Sequence, residues 1–369
     1  MTRRTVLQSG AALLPLRGQA AAPLPPSTLD FQRLLPKRAP RANIFTLPDY
    51  MVWCASMVRT PDGVCHMMFS RWPRALGFDA WATHSEIAYA TAPRPEGPYT
   101  FRHAALPARG ARYWDGHVTH NPCVIAHGGK FYLYYTGNHG PDTWKPDANP
   151  TQEGWWVHRN HQRVGVAVAD HPSGPWKRSD RPLLDVPEYG QGIIGVPCVA
   201  ARPGGGWLMV YKTLAPGPGR FGGGVFNYPA VADHPLGPFR KHAVPMVDKR
   251  KVFDRHFDFH IDDHVEFFCG DRYYAIVKDH DAPFLTPHGR CLYLLESPDG
   301  LAWERSKHLL VTAFQLDWDD GSTQHFERLE MPKLHFENGK PRVLFLAART
   351  AGDPAAVSFN IAVPLGGGS

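Results

Sequence analysis

A turn sequence that returns along the chain constrains the fold more than any other feature. His171-Pro172-Ser173-Gly174-Pro175-Trp176 comes back as His234-Pro235-Leu236-Gly237-Pro238-Phe239. Arg94-Pro95-Glu96-Gly97-Pro98-Tyr99 is a third copy, and Ser297-Pro298-Asp299-Gly300 before Trp303 is a looser fourth. Each turn follows a hairpin of short β-branched and aromatic runs, clearest between His120 and Arg178, where Cys123 to Ala126, Phe131 to Thr136 and Val164 to Ala169 are separated by Gly and Pro. Such runs read as an antiparallel meander. Hairpin turns of the same kind stand at Pro61-Asp62-Gly63, Gly204 to Gly206, Gly270-Asp271 and Asn338-Gly339. A four-stranded sheet buries both faces only against neighbours. Five sheets packed radially satisfy this together, so the repeat predicts an all-β fold, a five-bladed β-propeller; a solenoid needs polar capping ends and usually shorter units.

The N-terminus carries Arg3-Arg4, a short apolar region from Ala11 to Leu16, and Ala20-Ala21-Ala22. This reads as a twin-arginine signal peptide over residues 1–22, which places the mature protein in the periplasm or outside the cell. Residues 23–45, opening with Leu24-Pro25-Pro26-Ser27, read as an extended arm, and 46–369 as the propeller. No later run is long and apolar enough to span a bilayer. The formal charge of +6 comes from scattered Lys and Arg, without a basic run or an aromatic RNA-binding motif, so no nucleic-acid partner is expected. Six cysteines, at 54, 65, 123, 198, 269 and 291, show no zinc-ligand spacing. No metal site or cofactor is expected from them, and whether the channel holds a structural metal stays open. Cys123 and Cys198 occupy matching places in consecutive repeats; export would permit a disulfide, although small buried thiols are the commoner outcome.

In a propeller the innermost strands converge on the central channel, where five segments can present side chains to one ligand. Counting back from each hairpin turn brings Ala55 and Ser56, Asn121-Pro122, Val196-Pro197, Asp263-His264 and Glu330-Met331-Pro332 into register. Asp263 and Glu330 are thereby the leading acids, with Asp115 in Trp114-Asp115-Gly116 close behind. Asp49, Asp262, Asp281 and Glu327 read more simply as turn-capping or pairing residues. Carboxylates aimed at one pocket split their pKa values, so that one serves as acid while another stays ionised. Glycosidic bond hydrolysis requires that arrangement.

Phe69-Ser70-Arg71-Trp72-Pro73, Ser85-Glu86-Ile87-Ala88, Tyr113 to Gly116, Thr119 to Pro122, Arg163 to Ala167 and Leu208 to Lys212 resemble the propeller glycoside hydrolases of families 43 and 117. The resemblance runs from about Tyr50 to Ala348. Where those families commonly carry Asp-Pro and Glu-Arg-Pro, this chain has Asp263-His264 and Glu330-Met331-Pro332, and its first repeat lacks the family 43 inner-strand aspartate in register. A distant relative is implied.

The resemblance implies an exported, exo-acting and inverting glycoside hydrolase. Asp263, Glu330 and Asp115 are its expected catalytic residues, Asp115 as tuner of the pair or ligand of a sugar hydroxyl. Hydroxyl binding falls to His84, His120, Asn121 and His264, and sugar stacking to Trp72 and Trp114 beside Trp53. Arg71, Arg163, Lys212 and Lys278 are the candidate cations for an acidic sugar, or partners for the acids. Each of these residues also has a plain structural use, in core packing or ion pairing. Two other activities fit the same fold, a non-catalytic carbohydrate-binding propeller and a glycoside phosphorylase.

Overall fold

The computed structural model describes residues 25, 27–110, 112–140, 150–219, 222–247, 261–279, 290–350 and 357–366. The expected export signal over 1–22 and Asp281 lie outside them. The chain forms five antiparallel sheets in sequence order, a five-bladed β-propeller. The inner strands are Tyr50–Arg59, Val118–His127, Gln191–Ala201, Ile261–Cys269 and Thr323–Glu337. Each pairs outward with the next strand of its own blade. The turns that repeat in the sequence join third to fourth strands in the first three blades, where Gly97-Pro98, Gly174-Pro175 and Gly237-Pro238 are cis. The Asn338-Gly339 hairpin has left-handed backbone at both residues (φ 51° and 73°), the requirement of a tight two-residue turn.

The ring is closed by the N-terminal part of the chain. Ile44–Phe45 pairs with Ser358–Pro364 as the outermost strand of the fifth blade, so the last sheet is completed from the opposite end of the sequence. Before it, the arm forms a short helix, Phe31–Leu34, capped by Asp30 and anchored by the buried Phe31. No helix of the described residues is long and apolar enough to cross a membrane.

Aromatic and aliphatic side chains fill the spaces between blades. Tyr132, Tyr134, Trp207, Met209 and Tyr211 belong to the largest such cluster, all nearly without exposure. Burial of side chains this size is worth about 1.5–3 kcal/mol each. The strands therefore read as almost continuously apolar, because both faces of each sheet are covered.

One local device recurs in all five inner strands. Cys54, Asn121, Val196, Asp263 and Met331 have positive φ, between 44° and 56°. At each one the register with the neighbouring strand slips, between Trp53 and Ser56, His120 and Cys123, Gly195 and Cys198, Asp262 and His264, and Glu330 and Lys333. These are β-bulges, which add a residue and re-aim the side chains beside it. None of the five is glycine. Val196 is the most strained, since a β-branched residue rarely takes this conformation. The bulge defines the true equivalence of the blades: Trp53, His120, Gly195, Asp262 and Glu330 come first, and Ser56, Cys123, Cys198, Val265 and Lys333 come three residues later.

Candidate active site in the propeller channel

In a regular strand, consecutive side chains point to opposite faces. The bulges lift that restriction, so His120 with Asn121, Asp262 with Asp263, and Glu330 with Met331 line one cavity of about 320 Å³ at one mouth of the channel. Its walls are aromatic: Trp53, Trp72, Phe78, Trp81, Trp155 and Trp156. The last two come from the helix Glu153–Asn160, and Trp155 is fixed by its indole N–H donating to the Asp79 carbonyl at 2.8 Å.

Lys278 organises the acids. Its Nζ lies 2.5 Å from Asp263 Oδ2, 2.9 Å from Glu330 Oε1 and 3.9 Å from Asp262 Oδ2, and all four side chains are buried. Lys212 Nζ reaches Asp262 Oδ1 at 2.8 Å, and Arg328 approaches Glu330 at 3.3 Å. The repeat explains the ammonium groups. At the position facing the first bulge residue, the first two blades carry Ser70 and Thr136, whose hydroxyls accept the left-handed N–H of the next blade, Asn121 at 3.0 Å and Val196 at 2.9 Å. The third and fourth blades carry Lys212 and Lys278 there. An ammonium cannot accept a hydrogen bond. Asp262 supplies the acceptor for the Asp263 N–H at 2.9 Å, and its charge offsets Lys212.

The two leading acids are pushed apart in acidity. Burial, and then the neighbouring Asp262 carboxylate, raise the Asp263 pKa. Glu330 is equally buried, but Lys278 and Arg328 outweigh that and hold it below the usual carboxylate range. Lys278 goes up, its burial outweighed by Asp263 and Glu330. His120 is pushed down to about 3 by burial and by Lys212, so it stays neutral, with Nδ1 on Ser85 Oγ at 2.7 Å. Among the described residues, Asn121 Oδ1 is buried without a hydrogen-bond partner. Such an atom is a ready acceptor for a ligand hydroxyl.

Of the residues singled out from sequence, Asp263, Glu330, Lys278, Lys212, His120, Asn121 and Trp72 line the cavity, as does Trp53. The others do not. Asp115 is fully buried elsewhere, with Arg109 at 2.5 Å, Tyr135 Oη at 2.7 Å and Arg178 at 3.4 Å. Trp114 stacks on Tyr135 beside it. Arg71 pairs with Glu86 at 2.7 Å and lies over Tyr50 and Phe101. Arg163 is taken up by Asp185 and by the Gln162 and Gly192 carbonyls. His84 sits against Thr83 at the end of a short helix. His264 takes the place that proline holds in three other blades, does not line the cavity, and bonds Glu266 at 2.9 Å. Burial lowers its pKa, but Glu266 raises it further, for a net rise.

Asp262 is the acid the sequence reading set aside, and the structure puts it on the cavity wall. No sequence signal marks it, because its equivalence to Glu330 rests on the bulge, a property of the backbone. Phe78, Asp79, Trp81, Trp155, Trp156, Arg159, Gln162 and Arg328 also line the cavity. Arg328 stands on the fifth inner strand; the others stand on loops and short helices between the second and third strands of the first two blades, where no strand periodicity marks them. Among the described residues, no group of three or more His, Cys, Asp and Glu side chains is placed to hold a metal ion.

No family model and no curated protein matches the sequence. Solved structures share its fold. A family 117 glycoside hydrolase from the marine bacterium Zobellia galactanivorans superposes with a TM-score of 0.58 at 16% identity, covering 90% of this chain and 89% of that one. A structure described as a glycoside hydrolase gives 0.63 at 13% identity, over 92% and 94%. A thermostable family-43 glycoside hydrolase gives 0.55 at 13% identity, over 87% and 91%. The chain is thus a five-bladed β-propeller with the fold seen in glycoside hydrolases of families 43 and 117.

Proposed function

We propose that this chain is an exported glycoside hydrolase that removes sugar residues from the end of an oligo- or polysaccharide, with Asp263 as general acid and Glu330 as its ionised partner. The observation that carries the reading is the Asp263–Lys278–Glu330 cluster on the floor of an aromatic-walled cavity. An acid with a raised pKa beside one with a lowered pKa is the division of labour that glycoside cleavage needs. End-on attack is supported by the modest size of the cavity, about 320 Å³ within an aromatic wall, which suits a chain terminus better than an open run of sugars.

The protonated Asp263 gives its proton to the leaving glycosidic oxygen. Inverting pairs stand roughly 6.5–9.5 Å apart to admit water, whereas retaining pairs are about 5–5.5 Å apart. Asp263 Oδ2 and Glu330 Oε1 are bound at 2.5 and 2.9 Å to a single nitrogen, closer than an inverting pair. For this pair the spacing supports double displacement in place of the inversion expected from sequence. Glu330 attacks the anomeric carbon, and Asp263, now a carboxylate, takes a proton from the water that releases the sugar. Asn121 Oδ1 accepts a sugar hydroxyl, and Trp53, Trp72 and Trp155 offer faces to the ring.

The test is a panel of oligosaccharides, acidic ones included, with product anomers followed by NMR. Retained configuration that disappears in Asp263→Asn is the expected result. Inverted product would replace the Glu330 nucleophile by a water that a cavity carboxylate activates as base. Binding without turnover on every glycan would overturn the catalytic reading in favour of a carbohydrate-binding propeller.

One observation favours phosphorolysis as a second reading: Lys212, Lys278, Arg159 and Arg328 all line the cavity, a cationic setting for phosphate. Adding phosphate to the assay separates the two, since a phosphorylase releases a sugar phosphate and a hydrolase a free sugar.

A further inference from the structure

Beneath the bulges, Ser56, Cys123, Cys198, Val265 and Lys333 occupy equivalent positions in the five inner strands and form a ring across the channel. All five are buried to a similar degree. They also line a second cavity, about 290 Å³, which holds Glu266 as well and contains none of the residues of the first. The ring is built by a repeated contact from blade to blade. Ser56 Oγ accepts the N–H of Val124 at 3.0 Å, and Cys123 Sγ accepts the N–H of Val199 at 3.4 Å. Val124 and Val199 directly follow the two cysteines of the ring. The second contact therefore sets the Cys123 sulfur against the residue next to Cys198.

We propose that Cys123 and Cys198 are a redox pair that closes a disulfide between the second and third inner strands when a small disulfide oxidant enters the second cavity. The inference is independent of any glycosidase activity. All six cysteines are free thiols in the structure. Cys65, by contrast, stands between Arg59 and Ala92 of its own blade. The Lys333 ammonium on the same ring favours a thiolate, the form that attacks a disulfide. The neighbouring Cys198 thiol also holds the Cys123 pKa down, against its burial.

The chemistry balances in two exchanges. The Cys123 thiolate attacks one sulfur of the oxidant, forming a mixed disulfide and expelling one thiolate. The Cys198 thiolate then attacks the Cys123 sulfur and expels the second. Two electrons reduce the oxidant to two thiols, which take up the two protons that the cysteines lose. The new bond would close a loop spanning the whole second blade, and long loops restrict the unfolded chain most in the entropic account.

The experiment exposes folded full-length protein to 2-hydroxyethyl disulfide, quenches with acid, alkylates in denaturant and maps the peptides by mass spectrometry. A Cys123–Cys198 linked peptide is expected, with the other four cysteines alkylated and a Tm above that of the reduced protein. A dithiol reductant should reverse both changes. Cys198→Ala should stop at a mixed disulfide on Cys123, with its own melting curve showing that it is folded. Alkylation of both cysteines in treated, folded wild type overturns the proposal, as does a link from either one to Cys54.

Discussion

Asp262 and Glu330 occupy the same place in adjacent blades. Each precedes the left-handed residue of its inner strand, and each carboxylate faces the Lys278 ammonium, at 3.9 Å and 2.9 Å respectively. Asp263 is the left-handed residue itself, equivalent to Met331 rather than to Glu330. The bulge thus delivers three carboxylates to one cation from two strands. That crowding separates Asp263 from Glu330 in acidity.

If these two acids do the chemistry, Asp263→Asn should lower kcat by about 10²–10⁴-fold, the usual worth of acid–base assistance, and Glu330→Gln, which removes the nucleophile, by at least as much. The Tm of Asp263→Asn should hold or rise, because its raised pKa marks a charge the fold disfavours, whereas Glu330→Gln should melt lower, because Lys278 and Arg328 hold its ionised form. Glu327→Gln should cost little in rate, since Glu327 pairs with Arg349 at the surface. Steady-state turnover and one melting curve per variant decide this. A folded but inactive Glu327→Gln beside a normal Glu330→Gln would move the role to Glu327.

The rate profile should be bell-shaped, and the signs follow from the two shifts. Asp263 must be protonated, so activity is lost as pH rises through its raised pKa. Glu330 must be ionised, so activity is lost as pH falls through its lowered pKa. The optimum should lie between, and kcat/KM against pH measures both limbs. An alkaline limb unchanged in Asp262→Asn would show that the Asp262 charge does not raise Asp263.

Lys278→Met should destabilise the fold by about 3–5 kcal/mol, the cost of stranding buried charge. It should also push the alkaline limb further up, because Asp263 loses its nearest cation. Urea melts and the same pH profile check the two effects. A variant as stable as wild type would mean that the acids find other compensation.

Asp115→Asn should act on stability and not on catalysis. The substitution leaves Arg109 and Arg178 facing a neutral amide, at an expected cost of about 2–3 kcal/mol. kcat and KM per folded molecule should stay at wild type. A large fall in kcat with an unchanged Tm would return Asp115 to the active site.

Acid should weaken the fold through histidines kept neutral inside it. His66 is pushed down to about 4, and His120 and His158 to about 3, in each case first by burial. Unfolded histidine titrates near 6.5, so their contribution is complete above about pH 6.5 and is lost as pH falls towards the folded values. Tm measured across that window should fall, and less steeply in His120→Asn. A flat Tm through the window would refute the assignment.

The architecture was legible because it is a matter of local pattern. Turn sequences such as Gly174-Pro175 and Asn338-Gly339, with apolar runs between them, specify hairpins at a fixed period, and the period limits how sheets can pack. The same pattern led to Asp263, Glu330, His120 and Asn121, whose distance from a hairpin turn can be counted. It led to Asp115 wrongly as a channel residue, because Trp114-Asp115-Gly116 has no strand periodicity and its burial depends on Arg109 and Arg178, the latter from the far side of the blade. Asp262 was missed for another reason. Strict alternation turns it away from the channel if Asp263 faces in, and only the left-handed backbone at Asp263 brings both to one side. The cations on these acids, the indoles of the Glu153–Asn160 helix, and the thiol contact between Cys123 and Cys198 join segments distant in sequence. Charge pairing and side-chain packing have no period along a chain, so the fold that brings these groups together had to decide them.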